Sequence, residues 1–144
     1  MQISICSWVI RSFMKKTVEV VAALIWNNGK FLCGKRPKNK ARAGMWEFPG
    51  GKVEAGETKQ AALARECYEE LGFVVRAQDE YCSVEHEYDD IIVQLTLFNT
   101  VVDRVDWVVS EYDDIAWVYP DETDDYQFCP ADIPILEKLK KDFA

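Results

Sequence analysis

Histidine is almost absent from this chain, which limits the chemistry open to it. His86 is the only histidine among 144 residues, and the five cysteines form no CxxC pair. Structural zinc sites and disulfide frameworks need more of these residues at closer spacing, so we expect neither. No nucleophile motif lies near His86, and we expect it to be an ordinary strand residue. Reduced thiols are typical of a cytoplasmic protein, which is the location we predict.

Long apolar runs and an excess of positive charge are also missing. The N-terminal run MQISICSWVIRSF is too short and too interrupted to span a membrane, and it lacks the features of a signal peptide. Lys and Arg number 17 against 25 Asp and Glu, which gives a net charge of −8. This balance argues against binding to a nucleic acid polymer. A small polyphosphate ligand remains compatible with it, because a bound metal ion would neutralise the local charge.

The residues that are present suffice for one folded domain. Apolar residues make up 49% of the chain, and its length matches a single domain with a sizeable core. We predict an N-terminal extension at residues 1–14, with a strand or a partner contact as the alternative for this segment. Residues 15–144 are predicted to form the domain. Both a monomer and a homodimer fit this sequence.

The order of the predicted elements indicates an α/β class. Strands are predicted at residues 17–26, 30–35, 74–87, 91–102 and 115–119, and helices at 59–71 and from 131 or 132 to 143. Asn28-Gly29 predicts a hairpin turn, and Asp89-Asp90 a second turn. Two hairpins favour a mixed sheet flanked by helices over a doubly wound parallel sheet.

The stretch from Gly50 to Phe73, GGKVEAGETKQAALARECYEELGF, is the most informative part of the chain. Thr58 is suited to begin a helix and Gly72 to end it, which predicts a helix over residues 59–71. At 100° per residue, an apolar stripe is expected, with three glutamates on roughly the opposite side. The stripe consists of Ala61, Ala64, Cys67, Tyr68 and Leu71, and the glutamates are Glu66, Glu69 and Glu70.

Three carboxylates this close together repel one another unless a cation lies among them. Glu57, just before the helix, is placed to join Glu66, Glu69 and Glu70. Oxygen ligands of this kind suit Mg²⁺ or Mn²⁺. The alternative for an acidic helix face is plain exposure to solvent.

A longer pattern favours the functional interpretation. Residues 51–73 fit Gly-x5-Glu-x7-Arg-Glu-U-x-Glu-Glu-x-Gly-U, in which U is apolar. Seven fixed letters give a chance match at one start on the order of one in a billion. The pattern resembles the box of the Nudix hydrolases. The segments WEFPGGKVE and PADIPIL, together with Trp117, resemble the MutT branch, especially its CTP and modified-pyrimidine nucleoside triphosphate pyrophosphohydrolases.

The resemblance implies a Nudix α/β/α sandwich with a mixed sheet between helices, and it implies roles for the residues of the box. Metal ligands would be the Gly50 carbonyl, Glu57, Glu66, Glu69 and Glu70, and the metal would be Mg²⁺ or Mn²⁺. Arg65 would orient a glutamate, and Glu69, Glu70 or Glu111 would take a proton from water.

Outside the box, the resemblance implies three substrate-binding residues. Arg36 would reach the substrate, Phe48 would stack on the base, and Asp132 would accept a hydrogen bond from it. An aromatic beside a proline is often a core residue, and Asp132 could equally cap the last helix.

The implied activity is Mg²⁺-dependent hydrolysis of a nucleoside triphosphate to the monophosphate and pyrophosphate, with a preference for cytosine or damaged nucleotides and a role in sanitising the nucleotide pool. One alternative is a Nudix hydrolase of ADP-ribose or dinucleoside polyphosphates. Tyr88 lies near a tyrosine of the dinucleoside polyphosphate class. The other alternative is a nucleotide-binding module without catalysis.

Overall fold

The computed structural model describes residues 15–103 and 111–144. The predicted extension at residues 1–14 lies outside the described residues, as does most of the acidic connection before the last strand. Within these ranges the chain forms eight strands and two α-helices. They are β1 (Lys16–Leu24), β2 (Trp26–Asn27), β3 (Lys30–Lys35), β4 (Trp46–Glu47), β5 (Gly50–Lys52), α1 (Lys59–Leu71), β6 (Val75–Glu87), β7 (Ile91–Val102), β8 (Asp114–Val118) and α2 (Ile133–Asp142).

The first sheet has the strand order β5-β1-β7-β6. Strands β1 and β7 run parallel over nine residue pairs, from Lys16↔Ile91 to Leu24↔Asn99. The outer strands β5 and β6 pair antiparallel with β1 and β7. The sheet is therefore mixed, as predicted.

The second sheet is built around β3. Strand β8 pairs along it from Phe31 to Lys35, while β2 and β4 pair with its two ends. The β2–β3 turn has positive φ at both Asn28 (53°) and Gly29 (79°), the conformation that the Asn-Gly pair favours. One sheet was predicted and two are found, because β1 ends at Leu24 rather than at Trp26 and the chain then continues as β2.

Strand β1 is buried on both faces, which places it between the two helices. Val21 and Ala23 pack in one apolar cluster with Leu63 and Cys67 of α1. Ala22 and Leu24 belong to a second cluster with residues of α2, namely Ile135, Leu136 and Leu139. This arrangement is the predicted sandwich of helix, sheet and helix.

The boundaries of α1 are the predicted ones, and its caps account for them. The Thr58 side chain accepts a hydrogen bond from Ala61 N, and Gly72 has φ 80°. The predicted apolar stripe was right for Cys67 and Leu71 and wrong for the rest. The buried residues are Ala62, Leu63, Cys67, Glu70 and Leu71, whereas Tyr68 is 60% exposed. Three alanines leave the periodicity ambiguous, and packing against the sheet selects the face that carries Leu63.

The terminal helix also differs slightly from its prediction. A 3-10 turn at Pro130–Asp132 precedes α2, which begins at Ile133. Neither helix of the described residues is both long and apolar enough to cross a membrane.

Candidate active site

The two glycines of β5 allow the backbone to approach α1 and β1 closely. Gly50 has φ 156°, and a Cβ there would overlap the Val21 carbonyl oxygen. A Cβ on Gly51 would occupy the position of the Glu66 carboxylate. Glycine at position 50 therefore allows the close approach to β1, and glycine at position 51 allows the Glu66 side chain to lie against the loop.

Arg65 is the centre of the acidic cluster. Its Nε and Nη2 donate to the two carboxylate oxygens of Glu57 at 2.7 and 2.9 Å. Its Nη1 donates to Glu66 Oε1 at 2.8 Å and reaches Glu69 Oε1 at 3.5 Å. Nη2 also donates to the Lys52 carbonyl at 3.1 Å. One guanidinium thus ties β5, the following loop and the helix together.

These contacts set the charge of the neighbouring carboxylates. The hydrogen bonds from Arg65 and a backbone N–H hydrogen bond lower the pKa of Glu57 to about 2, so this residue stays ionised. Burial raises the pKa of Glu66, and the hydrogen bond from Arg65 opposes this change. The Glu69 side chain is half exposed.

Glu70 differs from the other glutamates because it lies on the buried face of α1. It is 7% exposed, and Gly50 N–H donates to its Oε1 at 3.0 Å. Burial and then the charge of Glu47 raise the pKa of Glu70 to about 9, while hydrogen bonds from Gly50 and Tyr112 act in the opposite direction. Glu70 was predicted to lie with Glu66 and Glu69 on the side of the helix opposite the apolar stripe, and this prediction was wrong.

Tyr112 is a residue of the site that sequence reasoning missed. Its ring lies over Gly34 of β3, where a Cβ would overlap the ring atoms. The residue is 9% exposed, and burial followed by the charge of Glu70 raises the pKa of its hydroxyl. A glycine inside a strand was the available signal, since such glycines mark close approach of another group.

A cavity of about 550 Å³ connects the acidic cluster to residues from distant parts of the chain. Its lining includes residues of the box and the loop before β8, namely Gly50, Gly51, Glu66, Glu70 and Glu111. It also includes Arg36, Phe48, Tyr88, Cys129 and Asp132. Most of the candidate residues predicted from the sequence therefore border one cavity. Arg65 adjoins it by its contact with Glu66, and Glu57 and Glu69 in turn contact Arg65.

Arg36 and Phe48 are held by neighbouring groups. Arg36 Nη1 pairs with Glu47 Oε1 at 2.8 Å, and its Nε donates to the Ala41 carbonyl at 2.7 Å. Phe48 is 3% exposed and stacks on Phe31 with ring centres 5.3 Å apart. These ring contacts are those of a core residue, and Phe48 also lines the cavity.

Asp132 borders the cavity and is 4% exposed. It directly precedes α2, yet its side chain makes no capping hydrogen bond. Burial, followed by the charge of Glu47, raises the pKa of Asp132 well above its usual range. The carboxyl therefore retains its proton more readily than an exposed aspartate does.

The candidate metal ligands fit a hard divalent cation by their chemistry, since all of them are oxygens. Within residues 15–103 and 111–144, no three His, Cys, Asp or Glu side chains are grouped as a ready-made metal site. Arg65 pairs with Glu57 and Glu66. Glu66 and Glu70 line the cavity and the Glu69 side chain is half exposed, so carboxylate oxygens of α1 are accessible to a cation.

Comparison with known proteins identifies the family. The sequence model of the NUDIX domain family matches residues 20–138. This range contains most of both sheets and both helices. The chain belongs to the Nudix family.

Two curated Nudix relatives cover most of the chain. The CTP pyrophosphohydrolase of Escherichia coli (strain K12) is 38% identical over 122 residues, which are 85% of this chain and 90% of the relative. The 8-oxo-dGTP diphosphatase of Haemophilus influenzae is 33% identical over 130 residues, which are 87% of this chain and 93% of the relative. Among solved structures, the MutT protein from Methanosarcina mazei Go1 matches with a TM-score of 0.82 at 27% identity, covering 90% of this chain and 96% of that one.

These matches confirm the predicted Nudix family and its mixed α/β fold. The individual roles assigned to the site residues stay predictions.

Proposed function

We propose that this Nudix protein hydrolyses nucleoside triphosphates to the monophosphate and pyrophosphate in the presence of Mg²⁺. The observation that carries this proposal is the cluster of glutamates around Arg65 at one end of a cavity of about 550 Å³. Such a volume is typical of sites for small molecules. The names of the relatives, CTP pyrophosphohydrolase and 8-oxo-dGTP diphosphatase, support the same reaction class.

Mg²⁺ or Mn²⁺ would be held by Glu66, Glu69 and Glu70, with Glu57 and the Gly50 carbonyl completing the ligand set. When bound, the ion neutralises the polyphosphate and lowers the pKa of a bound water. Arg65 orients Glu57 and Glu66 through charge-assisted hydrogen bonds of 2.7 to 2.9 Å.

The proton of the attacking water goes to a carboxylate, for which Glu69, Glu70 and Glu111 are the candidates. Glu69 and Glu111 are exposed to solvent, whereas Glu70 is anchored by Gly50 N–H. Hydrolysis of the phosphoric anhydride then releases pyrophosphate and the nucleoside monophosphate.

The base lies at the opposite end of the cavity, beside Asp132. The Asp132 carboxyl accepts a hydrogen bond from an amino group of the base, which favours cytosine or a modified cytosine. Arg36 contacts the substrate at this end, and Phe48, which lines the cavity, stacks on the base. Removal of damaged or modified nucleotides from the pool is the biological role we propose.

We also propose a cytoplasmic location. Cys33, Cys67, Cys82 and Cys129, which are the cysteines in the described ranges, are all free thiols. Free thiols persist in reducing compartments. Both the monomeric and the dimeric state are compatible with a cavity built within one chain.

A pyrophosphate-release assay tests the function. The panel contains dCTP, 5-methyl-dCTP and 8-oxo-dGTP, with ADP-ribose and a dinucleoside tetraphosphate for the rival substrate classes. We expect pyrophosphate from the triphosphates with Mg²⁺ or Mn²⁺, with an optimum at alkaline pH and no turnover in excess chelator.

Each rival interpretation predicts another result in the same assay. Faster hydrolysis of ADP-ribose or of the dinucleoside tetraphosphate would assign the chain to another Nudix substrate class. Binding of nucleotides without any product would identify a non-catalytic module. Full turnover in excess chelator would contradict the role of the metal.

A further inference from the structure

Tyr88 connects the hairpin between β6 and β7 to the turn that carries Asp132. Its hydroxyl accepts a hydrogen bond of 3.0 Å from the backbone N–H of Ala131, a residue 43 positions later in the chain. Ala131 directly precedes Asp132, and Tyr88 and Asp132 both line the cavity. The phenol hydroxyl therefore contacts the residue before Asp132, and the two side chains border the same cavity.

The Tyr88 ring is held by its neighbours. The Arg42 guanidinium carbon lies 4.0 Å from the ring centre, and Arg42 Nη1 pairs with Asp90 Oδ1 at 3.3 Å. The His86 ring packs against Tyr88 at 4.5 Å with an interplanar angle of 64°. With the ring held by these contacts and the hydroxyl oxygen held by Ala131, the position of the hydroxyl is fixed before a ligand arrives.

The proton of this hydroxyl is still available. Across the described parts of the chain, the hydrogen bond of the Tyr88 hydroxyl is the one that it accepts from Ala131, and no side chain or carbonyl receives its proton. Burial raises the pKa of Tyr88, and the neighbouring Asp132 acts in the same direction. The phenol thus stays protonated at neutral pH and presents a hydrogen-bond donor to the cavity.

Asp132 by itself is a poor discriminator of bases. A protonated carboxyl both donates and accepts hydrogen bonds, so it can pair with an amino group or with a carbonyl group. A second group of fixed polarity is needed to distinguish the two. The Tyr88 hydroxyl, whose oxygen already accepts from Ala131, supplies a donor at the adjacent position.

We propose that Tyr88 is a specificity-determining residue that donates its hydroxyl proton to a ring acceptor beside the amino group of the base. Cytosine offers this arrangement, with an amino group at C4 and an acceptor at N3. Uracil reverses it, with a carbonyl at C4 and a donor at N3. The inference rests on the proposed function in that the ligand is a nucleotide whose base lies beside Asp132.

The test compares wild type with Tyr88→Phe, which removes only the hydroxyl. The dissociation constants of dCMP and dUMP are measured by titration calorimetry on the full chain. We expect wild type to prefer dCMP and Tyr88→Phe to weaken dCMP binding about 5- to 10-fold, with little change for dUMP. The loss reflects one hydrogen bond to a neutral donor.

Tyr81→Phe is the matched control. Tyr81 also lies on β6, and its hydroxyl donates to Asp142 Oδ2 at 2.6 Å, away from the cavity. Loss of this hydroxyl is expected to leave the dCMP/dUMP ratio unchanged. Thermal melts of both variants establish that they are folded at the assay temperature.

Three results would overturn the inference. The first is the same ratio of dCMP and dUMP dissociation constants in Tyr88→Phe as in wild type. This includes an equal loss of affinity for both nucleotides, which would mean that Tyr88 only supports the Ala131 backbone. The second is a wild type without preference for dCMP, and the third is no binding of either nucleotide. Binding of the monophosphates requires no turnover, so the pyrophosphate-release assay and this experiment fail independently.

Discussion

The backbone N–H of Gly50 donates a 3.0 Å hydrogen bond to Oε1 of Glu70, and this bond joins the glycine pair of β5 to the buried face of α1. The charge of the same carboxyl raises the pKa of the nearby Tyr112 hydroxyl. The hydrogen bond from Gly50 and the burial of Glu70 together restrict this side chain. The glutamates of the box therefore fall into two groups, with Glu70 fixed and buried and Glu69 half exposed.

Glu70→Gln and Glu69→Gln test whether the glutamates do chemistry. Each change keeps the shape of the side chain and prevents it from binding a metal ion or a proton as a carboxylate, so we expect kcat to fall at least about 100-fold. Steady-state rates of pyrophosphate release with dCTP measure the effect. Glu137→Gln, on the exposed face of α2, is the control and should retain full activity. Near-normal kcat in both variants would reduce this helix face to solvated surface.

Arg65→Lys tests the bidentate contact with Glu57. A lysine retains the positive charge but cannot donate to both oxygens of Glu57 and to Glu66 at once. We expect kcat to fall about 10- to 100-fold, in line with the loss of other groups that orient metal ligands. Arg76→Lys is the matched control, because Arg76 makes an exposed pair with Asp103 at 2.6 Å. Equal kcat values for the two variants would contradict the orienting role of Arg65.

Asp132→Asn tests whether Asp132 recognises the amino group of the base. The asparagine amide both donates and accepts, as a protonated carboxyl does, whereas an ionised carboxylate only accepts. We expect the preference in kcat/KM for dCTP over dUTP to fall in the variant by a factor that corresponds to about 1–3 kcal/mol at alkaline pH. The two proteins should become more alike as the pH is lowered. A ratio independent of pH and of the substitution would remove Asp132 from base recognition.

The same variant gives a prediction for stability. Burial raises the pKa of Asp132 in the folded state above its unfolded value, so the folded protein binds the proton more tightly. The stability linked to this proton is present at acid pH and is lost as the pH rises towards the folded-state pKa. We therefore expect the Tm of Asp132→Asn minus that of wild type to increase between about pH 4 and pH 8. A Tm difference that is constant across this range would mean that Asp132 ionises as an exposed aspartate does.

Local signals in the sequence predicted the exact bounds of several structural elements. The helix α1 was predicted because its cap, Thr58, and its stop, Gly72, are adjacent to the turns that they close. The hairpin at Asn28-Gly29 was also predicted from local residues, since asparagine and glycine tolerate the positive φ that both positions adopt. Interactions of this kind need no knowledge of the rest of the fold.

Contacts between distant residues were beyond the reach of the sequence. Tyr88 and Ala131 are 43 positions apart, and nothing in the letters around either residue indicates their hydrogen bond. The position of Glu70 on the buried face of α1 depends on packing against the sheet and on Tyr112. The motif nevertheless identified Glu70 as a candidate, because the pattern has glutamate at this position. The burial of Glu70 is a separate property that depends on the fold.

The burial of Glu70 and Asp132 has a consequence for engineering. Both carboxyls are buried, at positions where an apolar or amide side chain of similar size would be easier to accommodate. A mutant library selected for heat resistance alone would therefore accumulate replacements at these two positions, and would lose turnover and base preference as it gained melting temperature. Any programme to make this protein more robust has to screen for pyrophosphate release in every round.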